Sequence, residues 1–262
     1  MITSPVLVFD TETIPDTQGL RKTLKIDDKF SEDDVVNIAK YYYRQQRGTD
    51  FFPHQFQKVV AISCVLRHSE SLEIWSLGEV ESSEEELLKR FFDGLNRYLP
   101  TIVSWNGSGF DLPVLNYRSI LYGIDTGRYF DQGEQSNDFK YNNYLNRYHT
   151  RHLDLMDFLA LFGGRSNASL NHIAKLCNFP GKLDMDGGAV YDNFKQGKID
   201  EIRNYCETDV LNTYLVYLRL GLIRNQLTLE EYSREIEMIK NKIDYIQQEH
   251  LLEFKKVWES ND

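Results

Sequence analysis

The segment Val6-Leu7-Val8-Phe9-Asp10-Thr11-Glu12 constrains this chain more than any other. An apolar run that ends in two carboxylates two residues apart predicts a β-strand. On a strand, side chains at i and i+2 leave from one face, so Asp10 and Glu12 point together. Like charges held side by side repel unless something positive sits between them, and a divalent cation does that best. Read alone, the pair suits equally well a polar strand end running into a turn at Ile14-Pro15-Asp16.

Two later segments carry the same kind of signal. In Thr101-Ile102-Val103-Ser104-Trp105-Asn106-Gly107-Ser108-Gly109-Phe110-Asp111-Leu112-Pro113, a short apolar strand enters an Asn-Gly-x-Gly turn. The turn delivers Asp111 to a helix starting near Pro113, where it could equally be an N-cap. In Ile202-Arg203-Asn204-Tyr205-Cys206-Glu207-Thr208-Asp209-Val210-Leu211, the pattern through Leu218 is helical. Tyr205 and Asp209, at i and i+4, then share a face. A helix-surface aspartate beside a half-buried tyrosine reads the same way.

The order Asp-x-Glu, Asn-x-x-x-Phe-Asp, Tyr-x-x-x-Asp resembles the DEDD superfamily of 3′–5′ exonucleases. It is similar to the tyrosine subclass, and within it to the proofreading domain of family-B DNA polymerases. Five residues before the last aspartate, where the histidine subclass places its general base, stands Asn204. The resemblance covers roughly residues 5 to 220. It implies an α/β fold, a ribonuclease-H-like mixed sheet flanked by helices, and two Mg²⁺ or Mn²⁺ ions on Asp10, Glu12, Asp111 and Asp209. Asp10 would bridge the ions, Glu12 and Asp209 would complete the nucleophile-side site, and Asp111 would support the second, partly through water. Tyr205, with an ordinary pKa near 10, would orient the attacking water.

For substrate binding the resemblance implies Thr13 as a phosphate donor and Asn106 and Phe110 as the holders of the terminal nucleotide. It implies Ser169 and Leu170 against the primer strand and Lys182, 23 residues before Tyr205, near the scissile phosphate. Each has a structural rival: a turn for Asn106, the core for Phe110, a helix N-cap for Ser169, a solvated surface for Lys182. Asp154 and Asp157 read as a strand-to-helix cap rather than as ligands. Arg147, His149, Arg151 and His152 suit a phosphate-contacting cluster or an exposed rim equally.

Composition bounds the partners. The net charge is −10, of which the four carboxylates supply −4. The remaining −6 disfavours a broad duplex-binding surface, because such binding is driven by Lys and Arg on phosphates. A narrow single-strand groove with metal-anchored phosphates is compatible with it. No Cys/His spacing suits zinc. Cys64, Cys177 and Cys206 are odd in number and set in apolar or helical contexts, as expected of reduced thiols in the cytoplasm. No stretch approaches the roughly 18 apolar residues of a membrane span, and no basic leader precedes the first strand.

Residues 1–226 are expected to form the exonuclease domain and 227–262 a C-terminal helical appendage. From Thr228 to about Glu259 no Pro or Gly interrupts a helical stripe of Ile236, Ile239, Ile243, Ile246 and Leu252. The stripe can wrap back on the domain, or bind a protein partner or a second copy. Residues 16–56 read as a polar excursion with a helix near 33–46, and 122–146 as a long loop. The expected function is that of a stand-alone 3′–5′ exonuclease on single-stranded DNA 3′ ends, releasing 5′-mononucleotides. Exoribonuclease trimming of RNA ends and a non-catalytic nucleic-acid-binding module are the alternatives. No membrane partner is expected.

Overall fold

A computed structural model describes residues 4–183 and 187–261. Five strands, β1 (Val6–Pro15), β2 (Gln57–His68), β3 (Ser71–Ser76), β4 (Thr101–Ser104) and β5 (His152–Asp154), form one sheet of order β3-β2-β1-β4-β5. β2 runs antiparallel to β1 and β3, whereas β4 is parallel to β1 and β5. The helices are α1 (Thr17–Leu24), α2 (Glu32–Arg47), α3 (Glu84–Tyr98), α4 (Asp111–Tyr122), α5 (Asn137–Tyr141), α6 (Leu155–Leu159), α7 (Leu170–Leu176), α8 (Val190–Lys195), α9 (Ile199–Ile223), α10 (Leu229–Ile246) and α11 (Glu249–Asn261). This is the mixed, helix-flanked α/β sheet that the resemblance implies. Among the described residues no helix is long and apolar enough to cross a membrane.

The central strand is buried on both faces, and its two-residue period sorts its side chains. Val6 and Val8 join Val65, Ile74 and Val103 in a cluster completed by α9, α10 and α11. Leu7 and Phe9 join Ile62, Leu66 and Ile102 in a second cluster, completed by α3 and α4. The alternation continues beyond the apolar run, so Asp10 and Glu12 fall on the α9 face and Thr11 on the α4 face. A bulge between Glu12 and Thr13 shifts the register by one residue, and pairing with β2 resumes as Thr13 with Val59 and runs to Pro15 with Gln57.

The excursion after β1 has a core of its own. Leu20 of α1 packs with Val35, Val36, Ala39 and Tyr43 of α2 and with Phe52 and Phe56. Ser31 and Asp34 close a capping box on α2. α1 buries only Leu20 in an otherwise polar sequence, which hides it from periodicity. Ser83 caps α3 by accepting from Glu86 N, but the Glu86 carboxylate turns to Arg90 instead of returning to the cap. The segment that reads as a loop, 122–146, is fastened by aromatic residues rather than by repeating structure. Tyr129, Phe139 and Tyr144 are buried in the second cluster, and Tyr144 OH donates to Pro100 O at 2.8 Å.

The C-terminal segment is two helices, not the continuous one expected. Gln247 takes a left-handed conformation (φ 59°) and its N–H closes the last turn of α10 on Ile243 O. α11 then folds back, so that Ile239, Ile243, Leu251, Phe254 and Trp258 all enter the cluster beneath α9. The apolar stripe is therefore inside the molecule, and α9 is covered on two sides. A buried ion pair locks the arrangement. Arg67 of β2, 2% exposed, meets both carboxylate oxygens of Glu235 at 2.9 Å, and Tyr214 OH of α9 donates to the same group at 3.1 Å. Glu235→Ala leaves the buried guanidinium without its counter-charge, with the carbonyls of Ser69 and Ser71 as its remaining acceptors. Urea denaturation should show a loss of about 3–5 kcal/mol, and a loss below 1 kcal/mol would mean that water already reaches Arg67.

Candidate active site

At the end of β1 the strand alternation places Asp10 and Glu12 beside α9, which presents Cys206, Tyr205 and Asp209. Ligand atoms of Asp10, Glu12 and Cys206 lie within 4.8 Å of one another. The Cys206 thiol donates to Asp10 O at 3.4 Å. Asp111 arrives from the opposite face of the strand. It is the first residue of α4, with Phe110 as the N-cap, and its Oδ1 accepts from Thr11 N at 3.1 Å and Thr11 Oγ1 at 2.5 Å. Thr11, which the sequence does not single out, is thus the clasp holding the second aspartate against the first strand.

The turn before Asp111 is built for the same purpose. Asn106 is left-handed (φ 66°), and a Cβ on Gly107 would stand 2.3 Å from Ser104 Oγ, so the turn needs glycine there. Asp154, at the end of β5, accepts from Asn106 N (3.0 Å), Ser108 N (2.8 Å) and Asp157 N (3.2 Å). It caps α6, as its sequence context suggests, and it also clamps the turn. His152 beneath it is held by Ser104 Oγ at 2.9 Å, and burial pulls its pKa down to about 4, so the ring stays neutral.

Electrostatically the cluster is strained. Burial, then the neighbouring Asp111, Glu12 and Asp209, raise Asp10 well above the usual carboxylate range. Burial and Asp209 do the same to Glu12, and burial pushes Asp111 up to about 6. Asp209 is raised by burial, against the pull of Lys182 and Tyr205. Lys182 is the cation nearest the acids. Its ammonium donates to Tyr205 OH and lies 3.8 Å from Asp209 Oδ2. Asn171 Oδ1 accepts from Lys182 N at 2.9 Å, and Asn212 exchanges two hydrogen bonds with Gly181, so the lysine is aimed by its backbone. Burial and the surrounding acids raise the Tyr205 phenol above its ordinary value, so it remains protonated.

Among the described residues, Asp209 Oδ1 is buried with no hydrogen-bond partner. An orphaned carboxylate oxygen facing other acids is the donor that a hard divalent cation requires, so these residues fit Mg²⁺ or Mn²⁺. The remaining sequence-derived residues divide. Asn106, Phe110, Thr13 and Glu12 line one cleft of about 590 Å³. The Thr13 hydroxyl donates to Gln57 Oε1 at 3.1 Å, so it reaches the cleft as an acceptor. Ser169 caps α7, accepting from His172 N, and Leu170 packs on the core. Two cleft residues escape sequence reading. Phe51, 56% exposed, and His54 stand with their rings 5.8 Å from that of Phe110. They belong to the excursion, which has no pattern tying it to the site.

Each of these carboxyls binds its proton more tightly in the folded than in the unfolded chain. Stability therefore falls as pH rises, for Asp111 from the ordinary 3.8 through about 6 and for Asp10 and Glu12 further up. In EDTA, scanning calorimetry from pH 4 to pH 8 should show the melting temperature falling. Asp10→Asn should flatten that slope and raise the melting temperature by several degrees at pH 8. No gain from Asp10→Asn would mean that the acids do not repel.

A family model described as a predicted 3′–5′ exonuclease related to the exonuclease domain of PolB matches residues 49–258. The stretch includes Asp111, Tyr205, Asp209 and α10. β1 lies outside it, so Asp10 and Glu12 join the site through geometry. No match was found among curated proteins. The family B DNA polymerase from the hyperthermophilic archaeon Pyrobaculum calidifontis is similar in structure, with a TM-score of 0.47 and 15% identity over 80% of this chain. The chain spans 24% of that polymerase. Matched over well more than half its length, the chain belongs to the family of predicted 3′–5′ exonucleases related to the exonuclease domain of PolB.

Proposed function

We propose that the chain is a metal-dependent 3′–5′ exonuclease that removes 5′-mononucleotides from single-stranded DNA. The observation that carries this reading is the convergence of Asp10, Glu12, Asp209 and Tyr205, with Glu12 lining an aromatic-walled cleft. Asp10, Glu12 and Asp209 would hold Mg²⁺ or Mn²⁺, with Asp111 in support. Two such ions, when bound, supply activation of the attacking water and neutralisation of charge at the leaving 3′-oxygen.

The chain's own groups do the rest. Tyr205, protonated, holds the attacking water by a hydrogen bond rather than taking its proton. Lys182 brings a positive charge to the non-bridging phosphate oxygens, where charge grows in the transition state. Phe110 and Phe51 offer ring faces to the terminal base, worth about 1–3 kcal/mol per stacked base. Asn106 presents its amide at the same wall. The cleft admits an unpaired end, and the acidic surface gives little grip on a duplex.

Oligonucleotides labelled at either end, as DNA and as RNA, single-stranded and blunt duplex, test the reading on a gel. Shortening from the 3′ end of single strands, abolished by EDTA and faster on DNA, is the expected outcome. Full activity in EDTA or a ladder shortening from the 5′ end would sink it. A variant pair tests the roles. Tyr205→Phe should lower kcat by about a hundredfold while Mn²⁺ titration calorimetry stays near wild type. Asp209→Asn should lose both, and equal Mn²⁺ binding by the two variants would remove Asp209 from the ligand set.

A further inference from the structure

We propose that a groove leading from the Asn106–Gly109 turn to Arg224 is a track for single-stranded nucleic acid, holding nucleotides upstream of the 3′ terminus; this rests on the exonuclease reading above. Continuity is the first observation. The catalytic cleft shares Asn106 and Gly109 with a second cavity of about 430 Å³. That cavity shares Ser108, Arg147 and Asp154 with a third of about 390 Å³. Both fall in the roughly 300–1,000 Å³ range of small-molecule sites, enough for a nucleotide each.

The far cavity has the chemistry to hold unpaired nucleotides. Its wall is a ladder of cations and rings. Arg147 lies 5.0 Å from the Phe162 ring, Tyr148 and Phe162 meet edge to face at 5.0 Å, Phe158 is 6.4 Å further on, and Arg224 lies 5.1 Å from Phe158. Tyr148 is 72% exposed. Among the described residues the Arg224 guanidinium makes no hydrogen bond or ion pair, so it remains available to a phosphate. His149 Nδ1 accepts from Asn143 N, which leaves Nε2 as the N–H donor. The two carboxylates in the groove are already answered. Asp154 takes three backbone N–H groups, and Asp157 takes Arg147 Nη2 on both oxygens at 2.5 and 2.6 Å.

The end of α6 sets the far ring of the ladder. Leu161 and Phe162 are consecutive left-handed residues (φ 52° and 60°) that close the helix, with Phe162 N–H donating to Asp157 O at 2.8 Å and Leu161 N–H to Phe158 O at 3.1 Å. This closure carries Phe162 to the side of Arg147 and Tyr148. On a chain of net charge −10, a cation-and-ring wall continuous with the catalytic cleft is where a single strand finds both phosphate and base contacts.

Steady-state hydrolysis of a dinucleotide and a single-stranded dodecamer, with Arg224→Glu and Tyr148→Ala, tests the track. Both side chains are exposed, and melting temperatures verify folding. KM for the dodecamer should rise about tenfold in each variant, with kcat and all dinucleotide constants held. For Arg224→Glu the dodecamer should also lose roughly one phosphate's share of salt dependence. Unchanged dodecamer KM, or equal losses on both substrates, would overturn the track. Anisotropy of a labelled dodecamer in EDTA separates the two readings. Arg224-dependent binding by a protein that hydrolyses nothing would keep the track and remove the nuclease. Cleavage with Arg224-independent binding would do the reverse.

Discussion

Mutual repulsion of acids from which water is largely excluded is the interaction on which the rest of this structure depends. Asp10 and Glu12 bring carboxylate oxygens within 4.8 Å of each other, and at an effective dielectric constant near 20 two charges at that distance oppose each other by roughly 3–4 kcal/mol. Burial is the larger cause and raises Asp10, Glu12, Asp111 and Asp209 alike, and repulsion within the cluster adds to it at Asp10 and Glu12. A fold holds such a cluster only if the elements carrying it cannot move apart. β1 is fixed by pairing on both edges, α9 by burial between the sheet and the C-terminal helices, and Asp111 by the Thr11 clasp. Each restraint keeps an unfavourable charge distribution in place for a cation to relieve.

The C-terminal helices are part of that restraint. The Arg67–Glu235–Tyr214 network joins β2, α10 and α9 where water does not reach. A second polar chain runs closer to the site. His250 of α11 contacts Glu207 at 2.9 Å, Glu207 accepts from Ser76, and Ser76 shares a hydrogen bond with Ser63, the strand partner of Asp10. α11 is thereby joined by hydrogen bonds to the strand partner of Asp10, although none of its described residues lines the cleft.

On a chain of net charge −10, the few positive groups near the acids stand out. Lys182 sits at the acids, aimed by Asn171 and Asn212, while Arg147, His149 and Arg224 line the groove that continues from the cleft. Arg118 differs by its burial: 2% exposed, it is held by Glu84 and Asp16 and ties α4 to α3 and to the start of the excursion, whereas Arg147, although paired with Asp157, is half exposed and lines the groove. A count of basic residues cannot separate these roles. Burial can.

The candidate carboxylates and Tyr205 were legible because their spacing is local: two residues on a strand, four on a helix, and a glycine turn ahead of a helix start. The core strands and α3 were legible for the same reason, since short-range period reports burial. What depended on long-range closure was not. Thr11 gains its role only when α4 meets β1, 100 residues on. Phe51 and His54 face Phe110 only because a separately cored excursion folds over the cleft, and no periodicity encodes that docking. The stripe on the last helices could be read as an apolar face, but whether a face is inward or shared with a partner is set by what the chain brings against it. Here the break at Gln247, with no Gly or Pro to announce it, turned both halves inward. Local chemistry named the residues; the packing of distant segments decided which of them meet.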